Sequence, residues 1–286
     1  MIGFVNVNKP SGLSSSKVVT ILKKTFNIKK IGHMGTLDPL AEGVLPIAIG
    51  KATRMFDYFL EKHKVYVAEF TFGKTTDTLD SDGKVTETSS IIPSKDDILK
   101  ALPSLMGKVS QIPPQFSAKK VNGRCAYDLA RNGEMVDLKP KEIEIYDLKL
   151  LDQINENTFQ FLIECSGGTY IRSIARDMAE LMGSKAYMSK LIRTKSGKFD
   201  IEKSFTLEEL KEQTLDKSLV SIESIFDFQL INLNNAEAKN LLDGKIVKIN
   251  KNDNQYFVKC DKVLLGIGEV NSGILKLKTC LKEDVW

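Results

Sequence analysis

Apolar and polar positions alternate with a period of two in Val65–Phe72, where Tyr66, Ala68, Phe70 and Phe72 fall on one face. The same pattern in Thr158–Cys165 puts Phe159, Phe161, Ile163 and Cys165 together. Both segments are predicted strands. Ile143–Leu150 is another, and Phe4–Val7 a short one that ends at the turn Lys9-Pro10-Ser11-Gly12. Helical spacing takes over at Val18, Ile21, Leu22 and Phe26, with Ser14–Ser16 available as a cap. It returns at Ile171, Ile174, Ala175, Met178 and Leu181, after the break Ser166-Gly167-Gly168-Thr169. Ala52–Leu60 also reads as helical, and Thr206-Leu207-Glu208-Glu209 is a capping box. Beyond about Gln229 the pattern gives one helix, Ala236–Leu242 stopped by Gly244, and several short strands. The class is α+β, with strands joined by hairpins as well as helices and a small β-rich module at 230–286.

Two stretches fit neither period. Residues 32–54 hold four glycines and two prolines and are expected to be mostly loop. Within them Asp38 stands between Leu37 and Pro39, five residues after His33. Residues 111–140 are Pro-rich, then basic and aromatic, with a short helix expected at Arg124–Arg131. They read as an insertion lying over the surface.

The chain has 286 residues, 42% of them hydrophobic, which suits one large domain or a large one with a small one. No apolar run approaches membrane-spanning length and no signal peptide is visible at the N-terminus. Cys125, Cys165, Cys260 and Cys280 are widely spaced, as expected of reduced thiols in a cytoplasmic protein. Charge changes the picture more. Residues 1–64 carry 10 Lys and Arg against 4 acids, a net +6, and the rest of the chain is −2. A positive field around Asp38 favours a polyanionic partner there; a solvated basic helix face has the same signature.

Each candidate residue has a plain structural reading beside the chemical one. Asp38-Pro39 suits a helix N-cap followed by proline as well as a reactive carboxylate. Arg172, in the first turn of a helix, suits an anion, either an RNA phosphate or a buried carboxylate such as Asp38. Tyr66 packs in a core or forms a platform on which a base stacks. His33 is an acid–base group or a positioning contact, and Leu191 a core leucine. Thr78–Gly83 imitates a calcium loop but lacks the first ligand and the twelfth-position Glu. No phosphate-cradling glycine loop follows a strand, so neither metal nor cofactor is implied.

Taken in order, several motifs resemble the TruB family of tRNA pseudouridine synthases, which act on uridine 55 of the T-loop. They are Asn8–Gly12, Gly32–Pro39, Lys64-Val65-Tyr66, Phe72–Thr78, Ile112–Ala118, Cys165–Arg172 and Leu191-Ile192-Arg193. The resemblance implies a pseudouridine synthase fold over 1–229, with 111–140 as an RNA-gripping insertion and 230–286 as a PUA-like module. It implies that Asp38 is the catalytic carboxylate, adding to C1′ or promoting elimination to a glycal. Tyr66 then stacks on the flipped base and relays a proton, and Arg172 pairs with the aspartate. Leu191 walls the base pocket, Tyr170 adds an aromatic contact and His33 stacks in the T-loop. Lys9 and its basic neighbours, with Lys119, Lys120 and Arg124, meet phosphates. No cofactor, membrane or protein partner is implied, and the expected state is a monomer. The alternatives are a tRNA-folding chaperone with secondary catalysis and a synthase for another RNA stem-loop.

Overall fold

The alternating segments close into one large sheet because each buries an apolar face that its neighbours complete. The structure, a computed structural model, describes residues 1–60, 62–117, 119–121 and 123–282; the side chains of Leu60, Lys120 and Cys125 lie outside that description. The chain begins with β1 (Gly3–Lys9), β2 (Ile31–His33), β3 (Glu42–Ile49) and β4 (Lys64–Phe72). A side hairpin β5 (Lys74–Thr76) and β6 (Val85–Thr88) follows, then β7 (Gly107–Gln111), the small hairpin β8 (Lys120–Val121) and β9 (Arg124–Cys125), and β10 (Lys141–Asn155). After β11 (Thr158–Cys165) and β12 (Ala186–Ser196) come the short β13 (Phe199–Asp200) and β14 (Leu219–Val220). The chain ends with β15 (Gln229–Leu233), β16 (Val247–Lys248), β17 (Asn254–Cys260), β18 (Val263–Asn271) and β19 (Ile274–Cys280).

The large sheet runs β14-β1-β3-β12-β4-β11-β10-β7, with β2 paired to β3 and β13 to β12. Every pairing in it is antiparallel except β3 with β12, so the sheet is mixed and mainly antiparallel. Val18 and Leu22 of the helix Ser15–Thr25 and Ile174, Ala175 and Met178 of the helix Ile171–Leu181 join the core of the sheet. Leu181, expected in that stripe, is instead exposed at the end of the helix. The C-terminal strands form a second sheet, β15-β17-β18-β19-β16. Phe257, Ile267 and Leu281 from it share a cluster with Phe4, Phe59 and Phe226. Its edge is also tied to the large sheet by Arg54 Nη1, which donates to the Cys280 carbonyl at 2.8 Å.

Two central strands escaped the sequence pattern. Residues 42–49 read as loop, yet β3 pairs with β1 from Gly43 to Ile49. Pro46 is tolerated there, opposite Asn6, while its carbonyl accepts from Met34 N at 2.8 Å. Gly43 is required where β3 meets β12: its φ is +97°, and a Cβ would run into the Arg193 carbonyl. β12 was not assigned at all, although it lies between β3 and β4 and carries Leu191 and Arg193. Among the described residues no helix is long and apolar enough to cross a membrane.

Candidate active site

Asp38 sits in the loop between β2 and β3, and that loop is held by pins instead of by regular structure. Asp38-Pro39 starts no helix. Ser15 Oγ accepts from Leu37 N at 2.8 Å and donates to Leu37 O at 2.9 Å. Ser11 Oγ donates to Leu40 O, and Gly12 N to Pro39 O, each at 2.9 Å. Arg193, only 1% exposed, spends its guanidinium on Val44 O at 2.7 Å, Gly35 O at 3.1 Å and Thr36 O at 3.3 Å. The carbonyls that a loop leaves unpaired are thus satisfied by buried cations and hydroxyls.

Lys9 belongs to this set of pins, which corrects its expected role as a phosphate contact. It is fully buried at the end of β1, and its Nζ donates to Leu13 O at 2.5 Å, Pro10 O at 2.9 Å and Pro39 O at 3.1 Å. Burial pulls its pKa down to about 8, with the Asp38 and Glu42 charges opposing. Such a group cannot reach an RNA backbone. Lys9→Met leaves three carbonyls without their donor, and the expected loss is on the order of 3 kcal/mol in chemical denaturation. An unchanged midpoint would show that Lys9 does not hold the loop.

Arg172 meets Asp38 across 134 positions of sequence. Nε lies 2.9 Å from Asp38 Oδ2 and Nη2 donates to Oδ1 at 3.0 Å, a two-pronged pair. The arginine side chain is 6% exposed and the aspartate 30%, so the carboxylate faces outward from a buried anchor. Further donations fix that anchor: Nη1 to Thr78 O at 2.8 Å and Nη2 to Phe116 O at 3.0 Å. Three loops therefore converge on one side chain. The helix that carries it starts at Ile171, and Gln111 sets its entry by bonding both backbone groups of Tyr170, at 2.8 and 3.1 Å.

A second carboxylate, which the sequence reading left in the calcium-like loop Thr78–Gly83, completes the arrangement. Asp80 Oδ2 is 3.3 Å from Arg172 Nη1 and the group is buried. Asp80 Oδ1 accepts from Thr78 Oγ1 at 2.5 Å and Asp82 N at 3.1 Å. Burial raises its pKa; the Thr78 hydroxyl and the Arg172 charge oppose that, and Asp38 adds to it. The only hint in the sequence was two acids closing a motif that resembles a calcium loop.

Tyr66 and Leu191 lie on the neighbouring strands β4 and β12. Both are buried in the core that also holds Leu37 and Ile171. Burial pushes the Tyr66 phenol up to about 12, while its hydrogen bond with Arg193 pulls the other way, so it is a neutral hydroxyl at any physiological pH. His33, at the end of β2, is half-buried with its pKa lowered first by burial and then by Arg193. It is a neutral imidazole at pH 7, and its buried Nδ1 has no hydrogen-bond partner among the described residues. Of the insertion residues, Lys119 Nζ donates to Lys139 O at 2.9 Å. Arg124 is exposed and 3.4 Å from Glu134. The Lys120 side chain lies outside the described residues. Among the described residues, the insertion reaches the Asp38 pair through the Phe116 carbonyl, which accepts from Arg172.

The model of the TruB family pseudouridylate synthase N-terminal domain matches residues 23–171, just over half the chain. The chain belongs to the TruB family of pseudouridylate synthases. The model of the tRNA pseudouridylate synthase B C-terminal domain continues over 172–230, so in this TruB chain the two models meet between Ile171 and Arg172, inside the helix that serves the site. The TruB chain is 41% identical over 283 residues to tRNA pseudouridine synthase B of Clostridioides difficile (strain 630), covering 93% of this chain and 94% of that one. It is 39% identical over 286 residues to the protein of the same name from Aquifex aeolicus (strain VF5), covering 98% and 100%. A chain in the crystal structure of a Cbf5-Nop10-Gar1 complex superposes with a TM-score of 0.70 at 24% identity, covering 97% of this chain and 79% of that one. One in an H/ACA RNP bound to a substrate RNA gives 0.72 at 21%, covering 99% and 86%. Those two likenesses establish the pseudouridine synthase fold.

Proposed function

We propose that this TruB enzyme isomerises uridine 55 in the T-loop of tRNA, and that Asp38 is the carboxylate that attacks the flipped nucleotide. The observation that carries the reading is the two-pronged Asp38–Arg172 pair. The guanidinium holds the carboxylate aimed while leaving it open to a substrate above Tyr66 and Leu191. The names of the relatives support a tRNA substrate, and the resemblance of the motifs to the family supports position 55. A stacked uridine must leave its loop at a cost of a few kcal/mol. Leu191 and the aromatic ring of Tyr66 offset that cost by receiving the base. Asp38 then either adds to C1′ or promotes loss of the base toward a glycal. In both routes the C1′–N1 bond breaks, uracil turns and C5 joins C1′, displacing Asp38 where it had added; C5 then loses its proton and N1 gains one, so the product is an isomer of the substrate.

The surrounding groups divide the remaining work. Tyr66 presents a neutral hydroxyl able to pass a proton at the ribose. His33, neutral and half-buried at the rim, is suited to stacking in the T-loop, and Tyr170 to a further aromatic contact. The exposed lysines at 17, 23, 24, 29 and 30 meet the RNA backbone in place of the buried Lys9. Tyr66→Phe is expected to reduce kcat by about 10²-fold, the range for a positioned proton-transfer group, with KM nearly unchanged. Steady-state kinetics on a tRNA transcript check it; a KM effect with normal kcat would leave Tyr66 only a platform. Mapping pseudouridine in total RNA from cells with and without the protein tests the substrate. Loss of the signal at tRNA position 55 is expected, and loss at some other stem-loop instead would overturn the reading.

A further inference from the structure

Beneath the Gly35–Thr36 turn the end of the sheet holds two buried cations, neither of them paired with a carboxylate among the described residues. Among the described residues Arg193 pairs with no carboxylate; its acceptors are the carbonyls of Gly35, Thr36 and Val44 and the Tyr66 hydroxyl. Beside it lies Lys64, the first residue of β4, with the whole residue 9% exposed. Its Nζ has no hydrogen-bond or ion-pair partner among the described residues. The groups facing it are Arg193, Lys141 and the Cys165 thiol. Burial pushes that thiol up to about 11, so it is neutral and supplies no counter-charge. Burial and Arg193 together pull the Lys64 ammonium down to about 8.

An uncompensated ammonium in that position is costly to the fold, and a methionine of similar volume would avoid the cost. Its position indicates what it is for. Lys64 and Tyr66 share one face of β4, so the ammonium stands one residue pair along from Tyr66. The turn lies close to both cations: a Cβ at Gly35 would be in ordinary contact with them, 3.8 Å from Lys64 Nζ and 3.9 Å from Arg193 Nη1.

We propose that Lys64 binds a phosphodiester oxygen of the substrate RNA beside the target uridine, with Arg193 behind it supplying the second positive charge. The ligand class follows from the charge. Two cations without an acid call for a full negative charge, which a uracil carbonyl does not carry and a phosphodiester does. The proposal rests on the reading of this chain as an enzyme that receives a flipped nucleotide of tRNA. It gives Lys64 a binding role, distinct from the chemistry at Asp38.

The test uses the full chain, wild type and Lys64→Met, with a T-arm minihelix in which each phosphate flanking the target uridine is replaced singly by a neutral methylphosphonate. Losing one charge-assisted contact corresponds to roughly a tenfold rise in KM for Lys64→Met, with kcat within about threefold. Its binding should show a salt slope shallower by about 0.7 to 0.9, the value of one phosphate contact. The thermal midpoint of the variant should be unchanged or higher, because a buried unpaired charge has gone. One methylphosphonate should weaken wild type about tenfold and weaken Lys64→Met no further. A lower midpoint with unchanged KM would make Lys64 a prop for the Gly35 turn and overturn the proposal. Equal penalties in both proteins at every phosphate, with wild type active, would overturn it alone. Wild type inactive on the unmodified minihelix would overturn the substrate reading and the proposal with it.

Discussion

Asp38→Asn is expected to lower single-turnover pseudouridine formation by at least about 10⁴-fold, the scale seen when a member of a catalytic unit is removed, while tRNA affinity stays within about threefold. The amide has the same shape as the carboxylate but turns one acceptor into a donor, which faces the Arg172 guanidinium where Oδ1 or Oδ2 now accepts. The loop should hold its place, because its pins come from Ser15, Lys9 and Arg193 and not from Asp38. Arg172 likewise keeps Thr78 O, Phe116 O and Asp80. Affinity is preserved because loss of a negative charge cannot weaken binding to a polyanion. The measurement is product formed by excess enzyme beside a binding isotherm on the same tRNA. A variant that turns over within tenfold of wild type would remove Asp38 from the chemistry.

Arg172→Met is expected to lose both turnover and roughly 3–5 kcal/mol of stability, the usual penalty for leaving a buried charge without its partner. Asp38 is open to solvent and can rehydrate, but Asp80 cannot, so most of the loss falls on Asp80. The carbonyls of Thr78 and Phe116 lose their donor as well. Adding Asp80→Asn should return part of the stability and none of the activity. Arg172→Lys should not rescue either, since one ammonium cannot reach two carboxylates and two carbonyls set around a planar fork. Asp80 also gives the variant a pH signature. Its folded pKa is raised above the ordinary 3.8, so its proton binds more tightly in the folded state. That contribution is fully present below the unfolded value and is lost as pH rises through the folded one. Removing Arg172 raises the folded value further, so the deficit should be largest near neutral pH and shrink on acidification. Urea midpoints from pH 4 to 8 check it; a deficit that is flat with pH would mean Asp80 is not the stranded charge.

Local patterns in the sequence translated into structure where one chain segment carries its own signal. The buried face of β4, the Ser14 and Thr206 caps and the helix Ile171–Leu181 are of that kind. β3 was hidden because Gly43 and Pro46 read as breakers, and their tolerance depends on neighbours, Arg193 of β12 and Asn6 of β1. β12 was hidden for another reason. Irregularities between Met188 and Lys190 and between Arg193 and Lys195 shift the phase of its alternation, and the polar Arg193 and Ser196 take buried positions. In the candidate site, the motifs brought Asp38, Tyr66 and Arg172 forward and the resemblance implied that Arg172 pairs with Asp38, whereas the local pattern alone left an RNA phosphate as an equal partner. Asp80 went unnoticed because an acid in a turn is ordinary until an arginine from another element reaches it. Lys9 was misplaced because a basic residue near a positive segment counts as surface charge until its burial is known.

Position-resolved mapping of pseudouridine in an unmodified tRNA, after incubation with excess wild-type or Asp38→Asn protein, tests the assignment most directly. Wild type should produce pseudouridine at position 55 alone, and the variant should bind the same tRNA and produce none. Modification at 55 by the variant at a comparable rate, or modification by wild type only at other positions, would contradict it.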